Sequence, residues 1–268
     1  FHFGEWLIPG QPSEGLEVCK ESAGYIAPFF GYRTLCLFAE ICFLLNRAEY
    51  SEYSDYAEHM KQAIVDGLLT PGHLPKHLMG AYVLAFAFGL VPEALYPQFT
   101  AQLRTLLDNA DDCVGTGFLA TPFLLDVAEA LYGAEAALRI LMQTKQPSWL
   151  FEVEQGATAI WENWFAFSEQ GEPQKCSFDH YAFGCVDDWL CRRLCGIDAA
   201  KPGFSELRIA PLANVPFDWT HTFVCEAGEI AVRKDGVSLQ VRIPPNTTAE
   251  VLWNGAAHKV GSGAYTFC

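Results

Sequence analysis

The chain is poor in charge, and poorer still in positive charge. Charged residues make up 18% of its 268 positions, and 17 Lys and Arg stand against 32 Asp and Glu, for a formal net charge of -15. Binding nucleic acid or an anionic membrane depends on clustered cations that displace counterions, so neither is expected as a partner. The sequence also lacks a C-x-x-C pair and any Cys/His cluster with ligand spacing, which argues against zinc; no metal and no cofactor are expected. Its ten cysteines fall mostly in apolar helical runs such as Leu35-Cys36-Leu37-Phe38 and Ile41-Cys42-Phe43. That placement suits free core thiols in a reducing, cytoplasmic compartment better than a disulfide framework. The first residues show neither a basic n-region nor a long apolar stretch, so no signal peptide is expected. The longest apolar runs, 35–45 and 81–89, fall short of the about 20 residues a bilayer crossing takes and read as core helices. There is no repeat with clear identity and no low-complexity segment.

What the chain does have is apolar surface. Hydrophobic residues reach 51% and mean hydropathy is +0.12, more than a self-contained soluble domain usually needs. Its length allows one or two domains. Periodicity and Gly/Pro/Asn breaks predict helices near 22–46, 51–69, 76–91, 94–109, 117–131, 133–143, 156–167 and 178–196. They come in pairs, one member apolar all round, as in Ala81-Tyr82-Val83-Leu84-Ala85-Phe86-Ala87-Phe88, and the next amphipathic. A helix apolar on every side must be covered on every side, so an inner ring wrapped by an outer ring is expected. The texture changes at Lys201-Pro202-Gly203. Beyond it, alternating runs at 206–210, 220–224, 229–232, 238–243 and 249–253, with turn signals Asp235-Gly236 and Asn254-Gly255, predict a small antiparallel β domain. The boundaries expected are 1–200 and 201–268. The triplet Asn246-Thr247-Thr248 fits a glycosylation sequon but, after Pro244-Pro245, reads as an inter-strand turn.

The stretch from Ser148 to Trp164 holds three tryptophans and three carboxylates. Flat aromatic faces stack on sugar C–H surfaces and carboxylates supply acid and base groups, so the mixture suits a glycan site. From composition alone, a Trp-rich core helix with solvated acids is the stronger of the two readings. If the residues after Gly156 are helical, Glu162 sits near the helix start, where the dipole favours its ionised form, the form a water-activating base needs. Downstream, Ser177-Phe178-Asp179-His180-Tyr181-Ala182-Phe183-Gly184 leads into an amphipathic helix, with Asp179 as a plausible N-cap and His180 as a capping or core residue on the plain account. At the start, His2-Phe3-Gly4-Glu5-Trp6-Leu7 sets an acid beside an aromatic. The acidic run 108–112 reads as a solvated helix end.

Together these segments resemble the α-L-rhamnosidases of glycoside hydrolase family 78. His2 to Pro9 is similar to the family's F-G-D-W-L, Leu78 to Pro92 to A-Y-V-L-A-L-A-F-G-L-V-P, and Gly115 to Thr121 to T-G-F-L-G-T. Pro147 to Trp164 resembles P-S-W-L-Y-E-V-E-Q-G-A-T-T-I-W-E-R-W, Ser177 to Gly184 resembles S-L-N-H-Y-A-F-G, and Pro244 to Val251 resembles P-P-N-T-T-A-E-V. Glu5 stands where the family has Asp, Ala159 and Asn163 where it has Thr and Arg, and the loop from Phe165 to Cys176 is a few residues shorter. The resemblance implies a partial (α/α)6 barrel followed by a β-sandwich, and inverting hydrolysis of terminal α-L-rhamnosides. It places the general base at Glu162 and sugar-pocket contacts at His180 and Trp6, with Glu5, Trp149, Trp161 and Tyr181 as further contacts. An inverting site needs a second carboxyl roughly 6.5–9.5 Å away to protonate the leaving oxygen. In the family that acid lies in an Arg-containing acidic motif upstream of the G-D-W-L stretch. About eight helices are visible where the barrel has twelve, so the chain is expected to be a fragment that works with an N-terminal segment of the same enzyme. Two alternatives stay open: a non-catalytic sugar-binding remnant, and another helical-barrel exo-glycosidase.

Overall fold

A computed structural model describes residues 4–10, 16–168 and 170–268; His2 and Phe3 of the N-terminal motif, and Pro12 beyond it, lie outside them. The chain divides into two units, 1–184 and 185–268, a break that falls earlier than the expected change at 200.

The first unit is helical. It contains α1 (Leu16–Leu44), α2 (Tyr50–Ile64), α3 (Met79–Ala87), α4 (Tyr96–Asn109), α5 (Thr121–Tyr132), α6 (Ala134–Leu141) and α7 (Trp149–Glu154). Consecutive helices pack as pairs, α1 on α2, α3 on α4 and α5 on α6, and α3 also packs on α1 and α5. The apolar run at 81–88 explains the centre: Met79 through Ala85 are buried without interruption along α3. Helix α4 is amphipathic and buries only Phe99, Leu103 and Leu107, one stripe at i, i+4 and i+8. An inner row wrapped by outer partners follows from that difference.

Helix α1 takes up the helix expected near 22–46 and extends it towards the N-terminus. It is one 29-residue helix, and its Lys20–Leu44 span is long and apolar enough by length and composition to cross a membrane. Its first half is buried through Tyr25, Ile26 and Phe29, whereas Leu37, Phe38, Ile41, Phe43 and Leu44 are exposed. Apolar excess therefore shows itself as an uncovered helix face.

The second unit opens with the short helix α8 (Val186–Trp189). Two four-stranded sheets follow, in the orders β1-β2-β6-β7 and β3-β4-β5-β8. The strands are β1 (Ile197–Ala199), β2 (Glu206–Ile209), β3 (Trp219–Cys225), β4 (Gly228–Asp235), β5 (Ser238–Ile243), β6 (Thr248–Trp253), β7 (Ala256–Val260) and β8 (Gly263–Phe267). Alternation sets the inward faces: Ile230 and Val232, Leu239, Val241 and Ile243, and Ala249, Val251 and Trp253 form one core. The Asn254-Gly255 signal closes the β6–β7 hairpin with both residues at positive φ, as a type I′ turn requires. Pairing is antiparallel except for β2 with β6, which is parallel. Strands β1, β7 and β8 escape the sequence reading because all three are sheet edges with largely exposed residues. The early break has a local cause: β1 pairs with β2 and Cys191 packs on the β core, so the residues before 200 belong to the sheet. The nine cysteines with described side chains are free.

Candidate active site

The expected helix at 156–167 is not there. Helix α7 begins at Ser148, whose hydroxyl accepts the Phe151 amide at 3.2 Å, and it ends before Gly156, which takes φ +80°. Gly156 N donates to Val153 O at 2.9 Å and Ala157 N to Glu152 O at 3.0 Å, the paired bonds of a Schellman cap. The Gln155-Gly156 pair was thus a helix stop, and the chain returns in irregular form through 157–168. Glu162 therefore sits at no helix N-terminus, and the dipole argument for its ionisation falls away.

A different device holds it. Glu162 N donates to Ser177 O at 2.9 Å, and Ser177 N donates to Glu162 Oε2 at 2.8 Å. One residue thus secures both the backbone and the carboxylate of Glu162. The side chain is half-buried, and among the described residues no cation pairs with it. Oε1 has no protein hydrogen bond and is not sealed from solvent. Beside it, burial and then the Glu162 charge push the Cys176 thiol up.

Two residues before Glu162, Ile160 O accepts the His180 amide at 2.9 Å. The His180 ring lies between Phe118, stacked at 5.3 Å and 22°, and Tyr181, stacked at 4.9 Å and 18°. Its Nδ1 accepts the Ala182 amide at 3.2 Å, which leaves the proton of the neutral ring on Nε2. Phe118 N in turn donates to Trp6 O at 2.9 Å. Trp6, His180, Tyr181 and the Glu162 segment are thereby joined through Phe118 and Ile160. From Phe118 ring contacts run edge-to-face to Phe183 at 4.9 Å, on to Trp164 at 4.2 Å, and edge-to-face to Trp149 at 5.5 Å, so the histidine is seated against a buried aromatic cluster. Tyr181, 87% exposed, is its open end.

Three expected sugar contacts are placed elsewhere. Trp149 is 5% exposed, with its indole N–H on Phe183 O at 2.9 Å, and Trp161 is 3% exposed and wedged against Phe167 and Phe178. Neither offers a face to a ligand. Glu5 is 1% exposed: Tyr25 donates its hydroxyl to Oε2 at 2.9 Å and Gly117 N donates to Oε1 at 2.7 Å. Burial pushes this carboxyl up to about 7, against those two donors and the Ala120 backbone, which favour its charged form. It clamps α1 to the 115–120 turn. Sequence reasoning missed Ser177 and Phe118 as site-building residues. Both lie inside motifs that drew notice, but as a backbone donor and a stacking ring they carry no reactive group to flag them.

Paired helices with a two-sheet unit after them define a helical-hairpin domain followed by a β domain. Residues 1–194 match the bacterial α-L-rhamnosidase 6 hairpin glycosidase domain and residues 196–266 the bacterial α-L-rhamnosidase C-terminal domain. The chain belongs to the bacterial α-L-rhamnosidase family. It is 30% identical over 260 residues to the α-L-rhamnosidase of Formosa agariphila, covering 93% of this chain and 28% of that protein. With the α-L-rhamnosidase of Streptomyces avermitilis it shares 32% identity over 215 residues, 77% of this chain and 21% of that protein. Its structure superposes on the S. avermitilis enzyme complexed with L-rhamnose with a TM-score of 0.84 at 28% identity, covering 98% of this chain and 28% of the other. The Aspergillus terreus enzyme, at 24% identity and TM-score 0.82, shares the fold. The chain spans between a fifth and a third of the length of these relatives.

Proposed function

We propose that this chain carries the water-activating half of an inverting α-L-rhamnosidase. Glu162 is the general base: Oε1 takes the proton of the attacking water while Ser177 N holds Oε2. His180, through Nε2–H, and Trp6 and Tyr181 bind the terminal rhamnose of a glycoside or oligosaccharide. The observation that carries this reading is the Glu162 carboxylate itself, fixed by a backbone amide, unpaired with any described cation, and two residues from Ile160, whose carbonyl accepts the amide of the stacked histidine. Family membership and the rhamnose complex of a relative support the choice of sugar.

The general acid belongs to a preceding segment of the same enzyme, which also covers the apolar face of α1 at Leu37, Phe38, Ile41 and Leu44. Glu5 is too enclosed to serve. In the enzyme with that segment, Glu162→Gln is expected to lower kcat on an aryl rhamnoside by about 10²–10⁴-fold with little change in KM, and NMR of the nascent sugar is expected to show the inverted anomer. Residues 1–268 alone are expected to be nearly inactive. Full activity of the Gln variant would remove Glu162 from the mechanism, and enzyme-like rates from 1–268 would remove the need for a preceding acid.

A further inference from the structure

Among the described residues of the helical unit, two carboxylates are buried. Glu5 has both oxygens bonded, but Glu152, 1% exposed, is different: Oε2 accepts Trp161 N at 3.1 Å, while Oε1 is buried without a partner. A buried polar atom left unmatched is a burden that an apolar side chain of similar size would not carry, so what Glu152 does with its other oxygen demands an account.

That oxygen reaches across the turn that Gly156 makes. Residue 152 grips the returning chain twice, through its carbonyl at Ala157 and through its carboxyl at Trp161. The next residue is Glu162, whose N–H and Oε2 are both on Ser177. Two consecutive peptides are therefore anchored, the Ile160–Trp161 peptide through its N–H on Glu152 and the Trp161–Glu162 peptide through its N–H on Ser177. The Trp161 indole is buried in a three-ring cluster with Phe167 and Phe178, all three centroids within 5.7 Å of one another, which adds a side-chain anchor to the backbone one.

We propose that Glu152 is a positioning residue for the reaction: its carboxyl oxygen, by accepting the Trp161 amide, fixes the backbone immediately before Glu162 and so helps aim the Glu162 carboxylate. The inference rests on the reading of Glu162 as the base. Burial pushes the Glu152 carboxyl up to about 7, so below that pH it works as a neutral acceptor, and an uncharged amide can do the same work. The claim concerns the acceptor, not the charge.

The test compares Glu152→Leu, which removes the acceptor, with Glu152→Gln, which keeps one, in the enzyme containing this chain and its preceding segment. The Leu variant is expected to lose at least tenfold in kcat with KM within about twofold, because the His180 ring keeps its stacking contacts with Phe118 and Tyr181. The Gln variant is expected to restore kcat to within about threefold. Deuterium uptake by the 157–164 segment, read by mass spectrometry, is expected to quicken at least tenfold in Leu and little in Gln. A Leu variant with kcat within twofold of the parent, or with unchanged uptake, overturns the proposal. So does a Gln variant that by itself loses tenfold in kcat, whether or not the Leu protein folds. Uptake does not depend on catalysis, so a failure of the base reading, seen in Glu162→Gln, is distinguishable from a failure of this one.

Discussion

Replacing Glu5 with Gln is expected to stabilise the protein at alkaline pH, the reverse of what losing a doubly hydrogen-bonded carboxylate usually does. In the fold, burial lifts the Glu5 carboxyl from its ordinary 4.5 to about 7, so the folded state binds this proton more tightly than the unfolded chain. Stability from the neutral form is fully present below about pH 4.5 and is lost as pH rises towards about 7, where the folded carboxyl also ionises. At about 1.4 kcal/mol per pH unit, that interval corresponds to about 3 kcal/mol. Gln copies the neutral acid: its carbonyl can accept the Gly117 amide and its N–H can donate to the Tyr25 oxygen, the two partners now on Glu5. Urea unfolding of parent and variant, followed by tryptophan fluorescence from pH 4 to 8, isolates the effect as a difference curve. That curve is expected to move in favour of Gln by about 3 kcal/mol over the range. A flat difference would show that Glu5 titrates alike in folded and unfolded chains, and the argument that burial outweighs its two donors would be refuted.

The remaining expectations follow from single contacts. Gly80→Ala, ordinarily a gain of up to about 1 kcal/mol inside a helix, is expected to destabilise by about 1–3 kcal/mol, because the new Cβ would lie 2.0 Å from Glu5 Oε2; a raised melting temperature would contradict it. Ser148→Ala removes the cap of α7 and is expected to cost about 1 kcal/mol, read by urea midpoint. Tyr181→Ala is expected to change stability by less than about 0.5 kcal/mol, since the side chain is mostly exposed, yet to weaken rhamnose binding measured by fluorescence titration. Unaltered affinity would remove Tyr181 from the sugar pocket.

The helical unit was legible where periodicity was strong. Helix α3 buries seven consecutive residues, and only a central helix tolerates that, so its place followed from composition. The alternation at 238–243 likewise named the inward face of β5. The motif carrying Glu162 was legible as chemistry but misread as geometry: its residues were assigned to a helix that Gly156 forbids, because the reversal depends on a left-handed residue and two backbone bonds that leave no periodic trace. Trp149 and Trp161 illustrate the same limit, since an indole that packs a core and one that stacks on a sugar are the same letter in a sequence.

What the amino-acid order determined by itself was the class of structure and the identity of the reactive group: paired helices, a β unit after them, and a carboxylate beside tryptophans near a lone histidine. Local patterns of apolar spacing and turn residues are enough for that, because they act within a few residues. Tertiary structure alone decided which acids are enclosed. Glu5 and Glu152 are buried and Glu162 is only half-buried, since desolvation is set by neighbours that are distant along the chain. It also decided how the Glu162 segment is anchored, through Glu152 on the Trp161 N–H and Ser177 on the Glu162 N–H and carboxylate.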